Sequence, residues 1–191
     1  MYKFYKRKIN KIIHISAAFK ESAYLQQASA FFICAAAKKN IIMYKPMALT
    51  MEQADRIVRA VEENGVRFTM AWQSRTDPQN QLMRKMIREQ TLGKPCLYRR
   101  RHGLNTHKWE NFENVWHTSP VYNRDIFADD SAHPLDMMQW IFGMPESVSC
   151  EMSTMVNPKI PNDNAVALFK YADGMIAEMT CSCSSISQPS F

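Results

Sequence analysis

The residues best suited to chemistry in this chain are an aspartate and a histidine four positions apart, Asp129 and His133, followed by Asp136. Spacings of four and three place side chains on one face of an α-helix, so the sequence predicts that the three could share a face. A carboxylate one turn before an imidazole can orient the ring and hold its proton, as general acid–base catalysis requires. The alternative interpretation is a surface helix whose polar face merely carries these residues.

The segment that must position these residues, 129–143, has the pattern of a helix. Pro134 suits the first turn, where no N–H partner is needed, and Gly143 suits the position just past the end. Apolar residues at helical spacing predict that the opposite side is buried. These residues are Leu135, Met138, Ile141 and Phe142.

A lysine after a predicted strand is a second candidate for chemistry. Residues 11–16 and 40–44 are typical of short buried strands, and residues 22–39 between them are typical of a buried helix. Because Pro46 interrupts the second strand, Lys45 is expected at its carboxyl end. Open α/β sheets bind ligands at that edge.

The remaining pattern alternates helices and strands and then changes to strands alone. A capping box of Thr50 and Gln53 begins one helix, and Asp77 before Pro78 begins another. The pair Asp173-Gly174 is typical of a hairpin turn. The predicted elements are helices from Thr50 to Gly65 and from Asp77 to Gly93, and strands over 66–72, 95–101, 147–155, 165–171 and 175–183. The last three strands predict a small sheet with one open face.

Residues 102–128 predict a long aromatic loop, which is usually functional when it has no structure of its own. The loop holds three histidines, His102, His107 and His117. Their spacings of five and ten match no compact zinc pattern, and no cysteine lies near them. No metal site is therefore predicted, and polar residues facing a sugar-like ligand are favoured.

Composition indicates a soluble globular protein. The chain has 191 residues with 46% hydrophobic content and a formal net charge of +6. Residues 1–45 carry nine of the 24 Lys and Arg residues but only one acid, Glu21, so the remainder has no basic surplus for a nucleic acid. Five cysteines without a Cys-x-x-Cys pair favour reduced thiols in the cytoplasm, and no apolar run is long enough for a membrane span.

Two motifs together resemble those of one enzyme family. The segment Lys45-Pro46-Met47-Ala48-Leu49-Thr50, followed by a capped helix, resembles the Glu-Lys-Pro segment of the glucose–fructose oxidoreductase, inositol dehydrogenase and MocA-like (Gfo/Idh/MocA) family. The segment Asp129-x-x-x-His133, with Asp136 and a Trp-bearing helix, resembles that family's Asp-x-x-x-His motif. The likeness runs from about Lys11 to Ser185 and is strongest from Lys45 onward.

The resemblance implies a fold, a reaction and roles for individual residues. Family members join a Rossmann domain for NAD or NADP to an α/β domain with an open sheet, which often builds a homo-oligomer. By this resemblance Lys45 and Pro46 would contact the cofactor, and Lys45 would lie between the nicotinamide and a sugar or polyol substrate. His133 would be the catalytic acid/base, and Asp129 would orient it or bind the substrate.

Three departures from the family pattern concern the cofactor and the site. None of the five glycines forms a Gly-x-Gly-x-x-Gly fingerprint, Tyr44 stands in place of the family's Glu, and Asn123-Arg124-Asp125 replaces a glycine-rich turn. We therefore expect an internal piece of a longer dehydrogenase, or an eroded copy. Residues 1–50 would be the final strand–helix–strand of a partial Rossmann domain. Residues 51–191 would form an α+β domain with an open, mainly antiparallel sheet, incomplete at its C-terminus.

Three classes of function follow from these observations. The first is an NAD(P)-dependent oxidoreductase acting on a CH–OH group of a sugar or polyol. The second is a catalytically inactive remnant with an oligomerising sheet, favoured by the missing fingerprint. A metal-dependent hydrolase that uses Asp129, His133 and the loop histidines is a weaker third.

Overall fold

The computed structural model describes residues 12–15, 23–110, 116–120, 122–155 and 158–184. The chain divides into two compact units, Met1–Ala71 and Trp72–Phe191. The domain boundary expected at residue 50 stays a prediction, and the helix and the strand that follow that residue pack and pair within the first unit. None of the helices in the described ranges is long and apolar enough to cross a bilayer.

The first unit alternates strands and helices, as the sequence predicts. The described elements are β1 (Ile12–Ile15), α1 (Ala23–Ala36), β2 (Asn40–Met43), α2 (Met51–Asn64) and β3 (Phe68–Met70). These three strands are all parallel and lie in the order β1-β2-β3. This is the strand–helix–strand arrangement expected of a partial Rossmann domain, with one further helix and strand.

Local capping signals determine the two ends of α2. The Thr50 side chain accepts a hydrogen bond from the Gln53 N–H at 3.3 Å, and the Gln53 side chain accepts one from the Thr50 N–H at 3.3 Å. Gly65 ends the helix in the left-handed conformation, with φ of 63°, which glycine adopts at little steric cost. The predicted capping box and helix end are therefore confirmed.

Among the described residues, the second unit contains two α-helices and a four-stranded mixed sheet. Its longer elements are α3 (Pro78–Arg88), β4 (Leu97–Gly103), α4 (Ala132–Phe142), β5 (Ser147–Ser153), β6 (Asn164–Lys170) and β7 (Ile176–Ser182). Strand order is β4-β7-β6-β5, with β4 parallel to β7 and the other neighbours antiparallel. Short 3-10 helices lie at Gln73–Thr76, Thr106–Lys108 and Trp116–Thr118.

Two expectations are corrected by this unit. The prediction of a three-stranded sheet is wrong, because β4 pairs along its whole length with β7 rather than continuing the α/β alternation. The prediction of a helix from residue 129 is also wrong at its start, because α4 begins at Ala132 and Asp129 lies in the turn before it. The predicted strand ends agree with those of the structure to within two residues.

The two faces of this sheet have different surroundings. One face is buried against α4, where Met138 belongs to the core and Leu135 and Phe142 pack at its margin. The predicted cover of one face by α4 is therefore confirmed. The other face stays open, and Val166, Leu168 and Ile176 are each about half exposed there. The buried strand residues are Ala165, Ala167, Phe169, Ala177, Met179 and Cys181.

Candidate active site

The predicted site residue Asp129 lies in a tight turn that leads into α4. The Asp125 side chain accepts a hydrogen bond from the Ala128 N–H at 2.8 Å, and the Asp125 carbonyl accepts one from the Asp129 N–H at 3.1 Å. The Ala132 N–H then donates to the Asp129 carbonyl at 3.2 Å as the helix begins. An aspartate that bonds backbone N–H groups ahead of it favours such a turn, so Asp125 helps to place Asp129.

Asp129 is almost completely buried, with 3% of its surface exposed, and two side chains contact its Oδ2. One is His117, whose Nδ1 is in direct hydrogen-bonding contact, and the other is Asn123, whose Nδ2 lies 3.2 Å away. The same Asn123 Nδ2 donates to the His117 carbonyl at 2.7 Å. His117, Asn123 and Asp129 therefore form one closed hydrogen-bonded group, which we call the Asp129 network.

His133 lies in the first turn of α4 and is half-buried. Its ring meets the ring of Trp72 edge to face, with 5.4 Å between the centroids. This packing restricts the imidazole, which is what a positioned acid/base requires. The role of Asp129 in orienting His133 stays a prediction, while the structure places His117 against Asp129.

Asp136 serves a different purpose from the one that helical spacing indicates. It is buried and receives both ends of the Arg75 guanidinium, with the Nε 2.8 Å from Oδ2 and a terminal nitrogen in contact with Oδ1. Nearby, the Arg84 guanidinium of α3 lies over the Trp140 ring at 4.3 Å and donates to the Trp140 carbonyl at 2.9 Å. These contacts tie α4 to its neighbours, so Asp136 has a structural partner.

Asp129 and the next residue, Asp130, place two carboxylates in this part of the site. Single ligand atoms of His117, Asp129 and Asp130 all lie within 4.8 Å of one another, the separation that a metal ion would need. Cys183 lies close by, with its Sγ 3.9 Å from Asp130 Oδ2. Burial, followed by the charges of Asp130 and Asp129, raises the pKa of the Cys183 thiol. This thiol therefore stays protonated and is a poor metal ligand or nucleophile.

Lys45 belongs to the first unit, two residues after β2 ends. Its peptide bond to Pro46 is cis, and both residues are half-buried. Lys45 thus follows the carboxyl end of a strand in a parallel sheet, as the sequence predicts. That Lys45 acts together with Asp129 and His133 stays a prediction, since those two residues belong to the second unit.

Sequence reasoning missed His117 as the partner of Asp129. It counted His117 among three loop histidines, of which the side chain of His107 falls outside the described residues. It also treated Asn123 only as a departure from a glycine-rich turn. His117 comes twelve positions before Asp129 in the chain, and no periodic pattern connects positions across such a loop.

A family model described as the GFO/IDH/MocA C-terminal domain matches residues 80–191. Among curated proteins, the uncharacterized oxidoreductase YrbE of Bacillus subtilis is 23% identical in a 186-residue alignment that covers 88% of this chain and 52% of YrbE. The scyllo-inositol 2-dehydrogenase (NADP(+)) IolW of B. subtilis is 27% identical over 119 residues, or 62% of this chain and 32% of IolW. The chain thus spans about half the length of YrbE and a third of IolW.

Solved structures share the fold at low sequence identity. The WlbA dehydrogenase from Bordetella pertussis, in complex with NADH and UDP-GlcNAcA, has a TM-score of 0.78 at 22% identity, covering 93% of this chain and 54% of WlbA. The myo-inositol 2-dehydrogenase from Lactobacillus plantarum has a TM-score of 0.76 at 20% identity, covering 96% of this chain and 55% of that enzyme. Because the family model covers more than half of the sequence, this chain belongs to the GFO/IDH/MocA family.

Proposed function

We propose that this chain serves in an NAD(P)-dependent dehydrogenase that oxidises a CH–OH group of a sugar, polyol or related substrate. The observation that carries the proposal is the Asp129-x-x-x-His133 motif, at the entry to α4 in a domain of the GFO/IDH/MocA family. Asp129 is buried with hydrogen-bond donors around it, and His133 is held against an aromatic ring. Buried and partnered acid/base groups of this kind are typical of catalytic sites.

The proposed roles follow from what oxidation of a carbinol requires. A base must take the hydroxyl proton while a hydride leaves carbon, and the nicotinamide would supply the acceptor for that hydride when it is bound. His133 would take the proton, and Asp129 would orient this imidazole or bind the substrate. The Lys45 ammonium would stabilise negative charge on the substrate oxygen.

The names of relatives support a polyhydroxylated substrate. They include scyllo-inositol and myo-inositol 2-dehydrogenases and a levoglucosan dehydrogenase, and the WlbA structure contains UDP-GlcNAcA. Each of these molecules offers secondary hydroxyl groups on a ring. A ring CH–OH is therefore the substrate group that we propose.

The residues present fit only one end of the cofactor. Lys45 and Pro46 follow the carboxyl end of β2, the edge of a parallel sheet where dinucleotides bind. A pyrophosphate would need a glycine-rich turn, and the sequence has no Gly-x-Gly-x-x-Gly. We therefore expect this chain alone to bind NAD or NADP weakly or not at all in a calorimetric titration, and micromolar binding would contradict that expectation.

Turnover by the full-length protein tests the proposal. We expect reduction of NAD or NADP with at least one member of a panel of inositols, hexoses and nucleotide sugars. His133→Ala should lower kcat by about a hundredfold or more, the usual contribution of a general base. Gln139→Ala, which alters the exposed side of the same helix, is the matched control and should keep the rate. An unchanged rate in His133→Ala would remove the role from this residue.

A non-catalytic remnant is the second candidate, favoured by the absent dinucleotide fingerprint. Full-length protein that is folded but binds neither NAD nor NADP would support it. The cytoplasmic location expected from the cysteine content belongs to both candidates, and all five cysteines are free thiols.

Homo-oligomerisation through the sheet is part of the proposal. The open face carries apolar side chains from three neighbouring strands, namely Val166, Leu168, Ile176 and Leu97. Apolar side chains exposed on an open sheet face are typical of protein–protein contacts. Sedimentation at micromolar concentration should show self-association that Leu168→Glu weakens, whereas a well-behaved wild-type monomer would contradict it.

A further inference from the structure

We infer that His117 is a positioning residue of the candidate active site, whose imidazole Nδ1–H fixes the carboxylate of Asp129. The inference rests on the proposed function, because it gives His117 a task in the reaction assigned to Asp129 and His133. It goes beyond that function in naming a loop histidine outside the Asp-x-x-x-His motif.

Burial makes a donor at Asp129 necessary. A carboxylate removed from water is costly unless N–H groups replace the lost hydration. Two donors converge on one oxygen, since the His117 ring and the Asn123 amide both contact Oδ2. Two hydrogen bonds on one oxygen stabilise the ionised carboxylate and restrict rotation of its plane.

His117 is itself held by two further contacts, one to its backbone and one to its ring. Its backbone carbonyl accepts from Asn123 Nδ2 at 2.7 Å, and its ring meets Trp109 edge to face at a centroid distance of 5.8 Å. The side chain is only 13% exposed. Because His117 is restrained in this way, its hydrogen bond also restrains the carboxylate of Asp129, as a positioning residue must.

The geometry also selects the tautomer of His117. A neutral imidazole carries its proton on one nitrogen only, and contact with the carboxylate favours the proton on Nδ1. Whether the ring is neutral or cationic, Nδ1–H remains the donor toward Asp129. His117 therefore supplies a hydrogen bond to Asp129 in both protonation states of its ring.

A matched pair of substitutions separates the donor from the bulk of the ring. His117→Asn places an amide N–H near the position of Nδ1, whereas His117→Phe keeps a ring of similar size without a donor. In the full-length protein, well below its melting temperature, we expect His117→Asn to keep kcat within about threefold of the wild type. We expect His117→Phe to lose up to about a hundredfold, as small misplacements of catalytic groups do.

Three kinetic outcomes would overturn the inference. If His117→Phe lowers thermal stability but leaves the kcat of the folded protein unchanged, His117 is only structural. If His117→Asn is as poor as His117→Phe, the imidazole itself is required. If chelation abolishes activity and Mn²⁺ or Zn²⁺ alone restores it, His117, Asp129 and Asp130 bind a metal ion instead of sharing a proton.

A second readout does not depend on turnover. In protein labelled with ¹⁵N-histidine, the His117 ring should show a protonated Nδ1 whose resonance changes in Asp129→Asn but not in Gln139→Ala. If the wild type shows no turnover but this signal is present, the proposed function is refuted and the pairing of His117 with Asp129 stands. If the His117 ring resonance does not change in Asp129→Asn, the inference is overturned.

Discussion

The described interiors of the two units differ in the kind of residue they bury. Every buried side chain of the first unit among the described residues is apolar or a thiol, namely Phe31, Cys34, Ala35, Ile41, Met43, Ile57 and Val66. The second unit also buries polar and charged side chains, namely Thr106, Thr118, Asn123, Asp125, Asp129, Ser131, Asp136 and Asp163.

The difference indicates where each unit carries stability and where it carries chemistry. Apolar burial stabilises in proportion to the area removed from water, whereas a buried carboxylate stabilises nothing unless donors surround it. In the second unit, individual buried acids have hydrogen-bond donors of their own. Asp163, for example, accepts from the Met155 N–H at 2.8 Å and from Asn164 Nδ2 at 2.6 Å. Such groups are typical of functional sites and of segments whose geometry must be unique.

The largest effect should come from truncating the apolar interior of the first unit. Phe31 is fully buried, and its ring meets Phe32 and Phe68 at centroid distances of 5.3 Å and 5.4 Å. Phe31→Ala should lower the free energy of unfolding by about 3–5 kcal/mol, because it removes apolar contact and leaves a cavity. Ile33→Ala, on the exposed side of α1, should change it by less than about 0.5 kcal/mol.

Chemical denaturation of both variants measures this prediction. Equal, small losses for Phe31→Ala and Ile33→Ala would break the comparison, since they would show that the first unit does not depend on its apolar interior.

A somewhat smaller effect should follow from removing the partner of a buried acid in the second unit. Arg75→Ala leaves the Asp136 carboxylate buried, with only 6% of its side chain exposed. Removing one partner of a fully buried pair costs about 3–5 kcal/mol, and because Arg75 is one-third exposed we expect about 2–3 kcal/mol. The matched control is Lys94→Ala, which removes an exposed pair with Asp173 and should change stability little, because water screens such a pair.

A double variant sharpens this measurement. Arg75→Ala combined with Asp136→Leu should recover much of the lost stability, since no buried charge remains. Thermal melting at constant pH measures all variants. No recovery in the double variant would indicate that packing of Arg75 near the Trp140 ring, rather than the charge on Asp136, carries the effect.

How far the sequence anticipated these features depended on distance along the chain. Both ends of α2 were predicted, because Thr50, Gln53 and Gly65 act within a few residues of the helix they cap. The place of β4 in the sheet was not predicted, because its partner strand β7 is distant in sequence. Arg99 of β4, for example, pairs with Glu178 of β7, which comes 79 positions later. Alternation of strands and helices describes local conformation and leaves the pairing of strands open.

The candidate site shows the same limit. The motif identified Asp129 and His133 because their spacing is short, but helical spacing also suggested that Asp136 shared their face. The partner of Asp136 is Arg75, 61 residues earlier, and the partner of Asp129 is His117, across a loop. Burial and the interaction partner determine the role of an acidic side chain, and a spacing of three or four residues predicts neither.

A third prediction compares buried thiols in the two units. Burial alone raises the pKa of Cys34 in the first unit, whereas burial and then the charges of Asp130, Asp129 and Asp163 raise that of Cys183 in the second. A raised pKa means less thiolate at a given pH, so both should resist alkylation at neutral pH. Asp130→Asn should increase the alkylation rate of Cys183 several-fold at alkaline pH and leave Cys34 unchanged.

Mass spectrometry of timed iodoacetamide reactions measures both rates in one sample. The nearby Cys181 has a pKa of about 11, raised chiefly by burial, and provides an internal reference. Identical responses of Cys34 and Cys183 to Asp130→Asn would show that acids do not distinguish the two interiors.

The raised thiol pKa values also predict how stability depends on pH. Since thiols of the unfolded chain ionise at a lower pH than the buried thiols, stability should fall as the pH rises from about 9 toward 11.

The smallest effect concerns the surface, where the two units should behave alike. Each has an exposed carboxylate whose pKa is lowered by hydrogen bonds, chiefly from the Thr50 side chain to Glu52 and from the Met175 N–H to Asp173. Donors that bind the ionised form explain both shifts. A lowered pKa stabilises the fold above the ordinary carboxyl value, and this contribution is lost as the pH falls through the folded value. Thr50→Ala should therefore return the pKa of Glu52 toward its ordinary value and leave that of Asp173 low, as NMR titration of the two carboxyl groups would measure. If Asp173 moved with Glu52, a global change in the fold rather than a local hydrogen bond would set both values.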